Sequence, residues 1–372
     1  PSLGSRASMS KRQRSDDLVQ PNQPTSIEEY TLQAEIPSWE LDFFGRIRSL
    51  SDQVLEEYLA TEEAKQSAEL ALIGQLAKAY LALAADQENL QLAQATLENQ
   101  QDSYDLIDKS FQNGLATEID LRRAQTEVEA ARRDVPRFTQ LVVQGRNALN
   151  LLVGTPVEDN LLPGELDTVT ALQDLEKIAP GLPSTVLLNR PDISAAEHRL
   201  RGAYASIGAA RASIFPRISL TASAGTASNE LGNLFAAGTG IWSFAPAVTL
   251  PIFDTRVWKA MRVSETERDI LLTSYEKAVQ TAFKEVADAL AVQGTITEQL
   301  AAQEALVEAA EAAYQLSEKR YTMGLDSYLS VLDAHRSLYA QQQVLISLRL
   351  ARLANQVTLY TVLGGGQAQQ AD

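Results

Sequence analysis

The runs YDLIDKSFQNGLAT at residues 104–117 and YQLSEKRYTMGLDS at 314–327 are two versions of one segment. Tyr104 matches Tyr314, Lys109 matches Lys319, Phe111 matches Tyr321, and Gly114-Leu115 matches Gly324-Leu325. The same offset of 210 positions brings Phe43 and Arg46 onto Phe253 and Arg256, Ala124 onto Ala334, and Leu149 and Gly154 onto Leu359 and Gly364. Agreement at one offset over about a hundred positions marks an internal repeat. The opening residues, Pro1 to Ser8, resemble Pro216 to Ser223. The chain is therefore expected to begin inside its own first repeat, with a helix like that of 184–214 upstream.

Each glycine closes a long helical pattern. No proline interrupts Arg46 to Asn113, and Leu76, Leu83, Leu90, Leu97, Tyr104 and Phe111 recur every seven residues. The second copy places Val286, Leu300, Val307, Tyr314 and Tyr321 in that register, with Gln293 as its exception. A sustained heptad implies a left-handed coiled-coil seam. At 1.5 Å per residue each such helix would reach roughly 100 Å. Gly114 and Gly324 stand where a glycine ends a helix in the left-handed conformation. A return helix follows over 116–153, with a seam of Leu121, Val128, Val135, Val142 and Leu149; its copy reads Val331, Leu338, Leu345 and Leu359. Pro136 lies inside that helix, where proline costs about 3 kcal/mol, so a kink is expected there.

Between the long helices the period changes from seven to two. Tyr30, Leu32, Ala34 and Ile36 alternate with Glu29, Thr31, Gln33 and Glu35, and Ile218, Leu220, Ala222 and Ala224 alternate with Arg217, Ser219, Thr221 and Ser223. Trp242, Phe244, Val248 and Leu250 form one face of a third strand, and Leu3, Ala7 and Met9 oppose Arg6, Ser8 and Ser10 in a weaker opening strand. One apolar and one polar face suits a membrane barrel enclosing water. A soluble sheet resting on a core reads the same way. The helices are committed to their own seams, however, so nothing is left to cover the apolar face. Four strands cannot close a barrel, and lipid does not tolerate open edges, so the membrane reading requires further copies of the chain.

Composition sets outer limits. The chain has 372 residues, 48 acidic against 32 basic, a formal charge of −16, no cysteine and two histidines, His198 and His335. Scattered basic residues argue against a nucleic-acid partner. A cysteine metal site is excluded, and no chemistry is assigned to either histidine. No run approaches the 18 or so apolar residues of a transmembrane helix. No phosphate loop, dinucleotide glycine pattern or Gly-x-Ser-x-Gly elbow is present, so no enzyme is expected and no cofactor is implied.

The stretches WELDFFGR (39–46), RPDI (190–193), GAARASIFP (208–216) and LDAHRSL (332–338) resemble the outer-membrane factors of tripartite efflux pumps, the TolC-like family, in its OprM/NodT-type branch. The resemblance covers essentially the whole chain. It implies an α+β membrane protein: a homotrimer with a twelve-stranded β-barrel, four strands per chain, continued by a long α-helical coiled-coil barrel. It also implies a location in the outer membrane with a helical tunnel in the periplasm, and a periplasmic adaptor (membrane fusion) protein linking the channel to an inner-membrane pump of RND type. Members of the branch usually carry a lipidated N-terminal cysteine. The implied function is a passive exit duct for drugs or other small molecules. Alternatives are a channel for type I protein secretion or metal-ion efflux, and a soluble periplasmic coiled-coil adaptor or scaffold.

On this reading 1–45 is the first β-hairpin, 46–154 the first long helix, tip and return helix, and 155–183 an equatorial linker. Residues 184–214 are a helix leading to the barrel, 215–255 the second hairpin, 256–363 the second helical repeat, and 364–372 a flexible tail. Leu329, Asp333 and Arg336 share a helical face and match the family's aperture-closing positions, with Arg123 facing Asp333 across helices. The turns Gly114, Leu115, Ala116, Thr117 and Gly324, Leu325, Asp326, Ser327 would meet the adaptor. Arg6, Glu29, Gln33, Glu35 and Arg217 would line the lumen, and the acidic excess suggests a preference for cations. Tyr30, Leu32, Ile36, Ile218, Leu220, Trp242, Phe244 and Val248 would face lipid.

Overall fold

The computed structural model describes residues 2–15, 17, 24–164, 166 and 188–365. Among the described residues, four strands and five long helices follow one another in the order expected from the repeat: β1 (Gly4–Gln13), β2 (Ser26–Leu41), α1 (Arg46–Gln112), α2 (Glu118–Val153), α3 (Pro191–Ala212), β3 (Arg217–Ser228), β4 (Gly240–Thr249), α4 (Thr255–Thr322) and α5 (Tyr328–Val362). The chain divides into two compact units, one of Pro1–Ala60 with Ala196–Tyr275, the other of Thr61–Ala195 with Glu276–Asp372.

The first unit carries one antiparallel sheet in the order β1-β2-β3-β4. Its register pairs Arg6 with Gln33, Ser10 with Glu29 and Glu35 with Ser223, which puts Arg6, Glu29, Gln33, Glu35 and Arg217 on one face. Leu32, Tyr30, Ile36, Ile218, Leu220, Trp242, Phe244 and Val248 fall on the other face. One extra residue between Ile36 and Trp39 forms a bulge, which returns Trp39 and Leu41 to the apolar face. On the polar face Arg6 Nε donates to Glu35 Oε1 at 3.0 Å. The side chains of β1 and β4 are exposed along their whole length.

The passage from strand to helix is built from local hydrogen bonds. Asp42 accepts from the backbone N–H of Ile47 and Arg48 at 3.1 and 2.9 Å, capping α1. Arg46 makes a two-pronged bond to Glu40 at 2.7 and 2.6 Å, and Phe44 stacks on Phe215 at 4.8 Å. His198 Nδ1 lies 2.6 Å from Glu56 Oε2, joining α3 to α1. That bond gives His198 a structural partner.

The second unit holds the helical pairs. α2 continues through Pro136 as one helix, with Gly154 in the left-handed conformation at its C-terminal end. The helix expected over 184–214 begins instead at Pro191, preceded by a 3-10 turn at 188–189; residues 184–187 lie outside the described residues. Proline suits the first helical position because its missing N–H has no intrahelical acceptor there. Just before it, Arg190 donates to Asp192, to Glu285 at 2.8 Å and to the Val362 carbonyl at 2.9 Å, tying the start of α3 to α4 and the end of α5. Of the expected linker, Asp159–Leu161 is a 3-10 turn. Leu166 is buried among Leu81, Ala84, Ala85, Ile346, Leu353 and Val357. Residues 165 and 167–183, and 366–372 of the tail, lie outside the described residues.

The return-helix seams are buried at Leu121, Val128, Leu149, Val331, Leu338 and Leu359. The α1 seam differs. Leu83 is buried, but Leu76, Leu90, Leu97 and Tyr104 are only half-buried, and Ala93, Gln100 and Ile107, at the same heptad spacing three residues on, face the interior. Both ladders belong to one broad stripe, of which a single chain buries one side. α1 also contains an 18-residue window of mean hydropathy 1.3, more apolar than the sequence reading allowed. This helix packs Leu81, Ala84 and Ala85 against α5.

Candidate functional site

Two features of the second unit stand out: the paired helix turns and a polar latch between α2 and α5. The turns share one construction. Gly114 has φ 72°, its N–H donates to Phe111 O at 2.9 Å, and Leu115 N–H reaches Ser110 O at 2.8 Å. Gly324 has φ 71°, with the matching bonds to Tyr321 O at 2.8 Å and from Leu325 to Arg320 O at 2.9 Å. This double closure is a Schellman turn, whose trailing residue is commonly apolar and packed back on the helix. Here that residue stays out: Leu115 is 83% exposed and Leu325 63%.

Beyond the turns the copies diverge. Thr117 caps α2 in a reciprocal box with Asp120, whereas Ser327 makes no side-chain cap bond. Asp326 is held instead by Arg320 Nε at 2.5 Å, which keeps its carboxyl below the usual range. Behind both turns, Ile107, Leu121, Ala124, Tyr328, Val331 and Leu332 form a core, with Ala116 packed against it. Burial, with Glu127 nearby, pushes the Tyr328 hydroxyl well above its ordinary value.

The latch lies on α5 just past this core. Leu329, Asp333 and Arg336 share a partly exposed face, and Arg336 Nη1 lies 3.9 Å from Asp333 Oδ1. The cross-helix partner differs from the expected one. Arg336 binds the α2 carboxylate of Glu127, with Nε at 2.9 Å from Oε1 and Nη2 also in contact. Among the described residues no ion pair joins Arg123 to Asp333. Asp333 remains exposed to solvent, whereas Glu127 is buried and gains more from a charged donor. Seven residues further along α2, buried Asp134 accepts from Tyr339 Oη at 3.3 Å and from Arg133 at 3.0 Å. Burial and Asp134 push the Tyr339 hydroxyl up to about 12. From the other side, Gln100 Nε2 lies 2.8 Å from His335 Nδ1, and Tyr314 meets the His335 ring edge-on at 5.3 Å. Burial lowers the His335 pKa, which favours the neutral ring.

Sequence reasoning passed over Glu127, Asp134, Gln100 and Tyr339. A signal existed for two of them. Asp120, Glu127 and Asp134 recur every seven residues beside Leu121, Val128 and Val135, a column of carboxylates flanking an apolar seam. Among the described residues no cluster of three His, Asp or Glu side chains is placed to hold a metal ion.

A four-stranded sheet with one apolar face and two free edges, in a chain that also carries helical hairpins of this length, has the parts that a subunit of an outer-membrane channel needs. Residues 1–155 and 182–365 match the outer membrane efflux protein family, and the chain belongs to it. It is 45% identical over 367 residues to the solvent efflux pump outer membrane protein SrpC of Pseudomonas putida, covering 98% of this chain and 77% of that one. Identity to the cation efflux system protein CusC of Escherichia coli is 40% over 333 residues, covering 89% and 72%. A solved membrane protein from Pseudomonas aeruginosa superposes with a TM-score of 0.92 at 39% identity, over 98% of this chain and 83% of that chain. Other solved neighbours are outer-membrane channels, such as MtrE of Neisseria gonorrhoeae, with a TM-score of 0.88 at 38% identity over 98% of this chain and 81% of that chain. The chain is an outer-membrane channel subunit of an efflux system, with its helical tunnel in the periplasm.

Proposed function

We propose that three copies of this chain close a twelve-stranded barrel by pairing β4 of each copy with β1 of the next. The observation carrying this reading is that the sheet ends in two edge strands of ten residues each, β1 and β4, whose outer edges have no partner strand among the described residues. Lipid would leave their backbone N–H and C=O groups without partners, at several kcal/mol per group. The polar face, with Arg6, Glu29, Gln33, Glu35 and Arg217, borders the pore, and the face with Leu32, Trp242 and Phe244 meets lipid. Gly225 supports closure of the sheet. A Cβ on Gly225, which shares the polar face with Gln33, would come within 2.7 Å of Gln33 Cβ. Glycine at such a close approach is one of the devices that bend a sheet toward closure. Because the chain has no cysteine, Ser8→Cys and Ser243→Cys introduce unique thiols on β1 and β4. A short bis-maleimide should link them into covalent trimers. Purified protein that yields only unlinked monomers would rule out this closure.

The two turns are the adaptor-contacting tips, on the strength of Leu115 and Leu325 standing exposed where such residues usually pack inward. Replacing both with Asp should leave trimers intact and abolish efflux-dependent resistance; resistance at the normal level would refute the contact. The latch of Arg336 with Glu127, beside Leu329 and Asp333, is the periplasmic gate. The cargo is small organic molecules delivered by an RND-type pump, a reading supported by the relative named for solvent efflux.

A further inference from the structure

We propose that the β3–β4 connection, residues 229–239, is a lipid anchor: Leu231 and Phe235 enter the acyl region at the outer rim of the barrel. This rests on the assignment of the apolar sheet face to lipid made above.

The connection is built rather than slack. Glu230 N–H donates to Ser228 Oγ at 3.2 Å, Asn233 Nδ2 to Glu230 Oε2 at 2.8 Å, and Thr239 Oγ1 lies 3.0 and 2.8 Å from the Leu234 and Ala236 carbonyls. Its one 3-10 turn, Leu231–Asn233, starts an amphipathic stretch. It carries three large apolar residues, Leu231, Leu234 and Phe235, while Glu230 and Asn233 bond each other.

Leu231 and Leu234 adjoin the apolar sheet face. Leu234 is 7% exposed, and a cavity of about 450 Å³ separates it and Leu231 from β1 and β2. Four of the six strand residues lining that space, Ala7, Met9, Tyr30 and Leu32, belong to the apolar face. Leu231 and Phe235 are left 65% and 75% exposed. Two large apolar side chains exposed together on a well-bonded turn fit an apolar partner better than water.

Their level also fits. Tyr30 pairs with Ser228, so the connection begins where Tyr30 ends the apolar band. From Tyr30 to Trp39 is roughly 30 Å of strand at about 3.3 Å per residue. At the usual barrel tilt this spans about 23 Å of bilayer, close to the roughly 25 Å apolar band of such barrels, which aromatic girdles flank. Leu231 and Phe235 therefore lie at the girdle, where aromatic side chains anchor a protein in the interface.

The missing cysteines make the test direct. Phe235→Cys, Phe244→Cys on the sheet, and Asn233→Cys would each be labelled with bimane. The trimers would be placed in phosphatidylcholine–phosphatidylglycerol vesicles carrying acyl-chain nitroxides, then challenged separately with aqueous iodide. The label at 235 should be quenched by the nitroxide lipid and shielded from iodide, like the label at 244, while the label at 233 responds to iodide. A label at 244 quenched by lipid with one at 235 quenched only by iodide overturns the anchor and leaves the face assignment standing. If both respond only to iodide, the lipid-facing reading fails and the anchor fails with it.

Discussion

Gly225→Val is expected to abolish trimer formation. A Cβ at this position would meet the Leu32 carbonyl oxygen at 2.1 Å and Gln33 Cα at 2.5 Å, both backbone atoms of the paired strand that cannot swing aside. Accommodating it would force β2 and β3 apart in the middle of the sheet. In a closed barrel that displacement cannot be absorbed at an edge, because strand number, tilt and stagger are linked. Even a tolerant core loses about 1–3 kcal/mol on overpacking, and three copies would suffer it together. Gly232→Ala is the control, since a Cβ there meets nothing within 4 Å. Heat-resistant trimers in the outer-membrane fraction should vanish for the first variant and persist for the second. Normal trimers of Gly225→Val, with an unchanged melting temperature, would show that the close approach does not shape the barrel.

The second large effect concerns the latch, where the two partners are unequal. Glu127 has a side chain 9% exposed, whereas that of Arg336 is 54% exposed. Arg336→Ala strands a buried carboxylate without its charged donor, a loss on the order of 1–3 kcal/mol per chain. Glu127→Ala frees an arginine that water can solvate, and should cost well under half as much. Both changes remove the ion pair that joins α2 to α5. Both should therefore raise single-channel conductance in planar bilayers, while only Arg336→Ala lowers the melting temperature of the trimer substantially. If conductance stays at the wild-type level in both, the latch is structural and the aperture is closed elsewhere. Asp333→Ala alone should change little, because its 3.9 Å contact with Arg336 lies within one exposed helix face.

Much of the fold was legible because its determinants are local and periodic. The switch from a seven-residue to a two-residue period separates helices from strands without any tertiary information, and the 210-residue offset doubles each signal. Gly114 and Gly324 end their helices because few other residues adopt a φ near 70° at low cost. The alternation in β2 and β3 likewise assigned both faces of the sheet ahead of its register. The helix expected over 184–214 starts later, at Pro191, because proline fits the first helical position but not the interior, and the bonds of Arg190 to Glu285 and Val362 fix the chain just before it.

The candidate site was legible only in outline. Helical spacing puts Leu329, Asp333 and Arg336 on one face from sequence alone, since i, i+4 and i+7 coincide on any α-helix. Spacing within a helix cannot say which residue of a neighbouring helix arrives opposite. That depends on the axial offset between α2 and α5, which the packing of Leu121, Ala124, Val331 and Leu332 decides. The offset brings Glu127, not Arg123, into reach of the latch. Sequence by itself therefore determined the repeat, the elements and the two-faced sheet, all consequences of short-range periodicity. Only the tertiary structure decided which charges meet, because a shift of one helical turn between packed helices exchanges every cross-helix partner while leaving each helix unchanged.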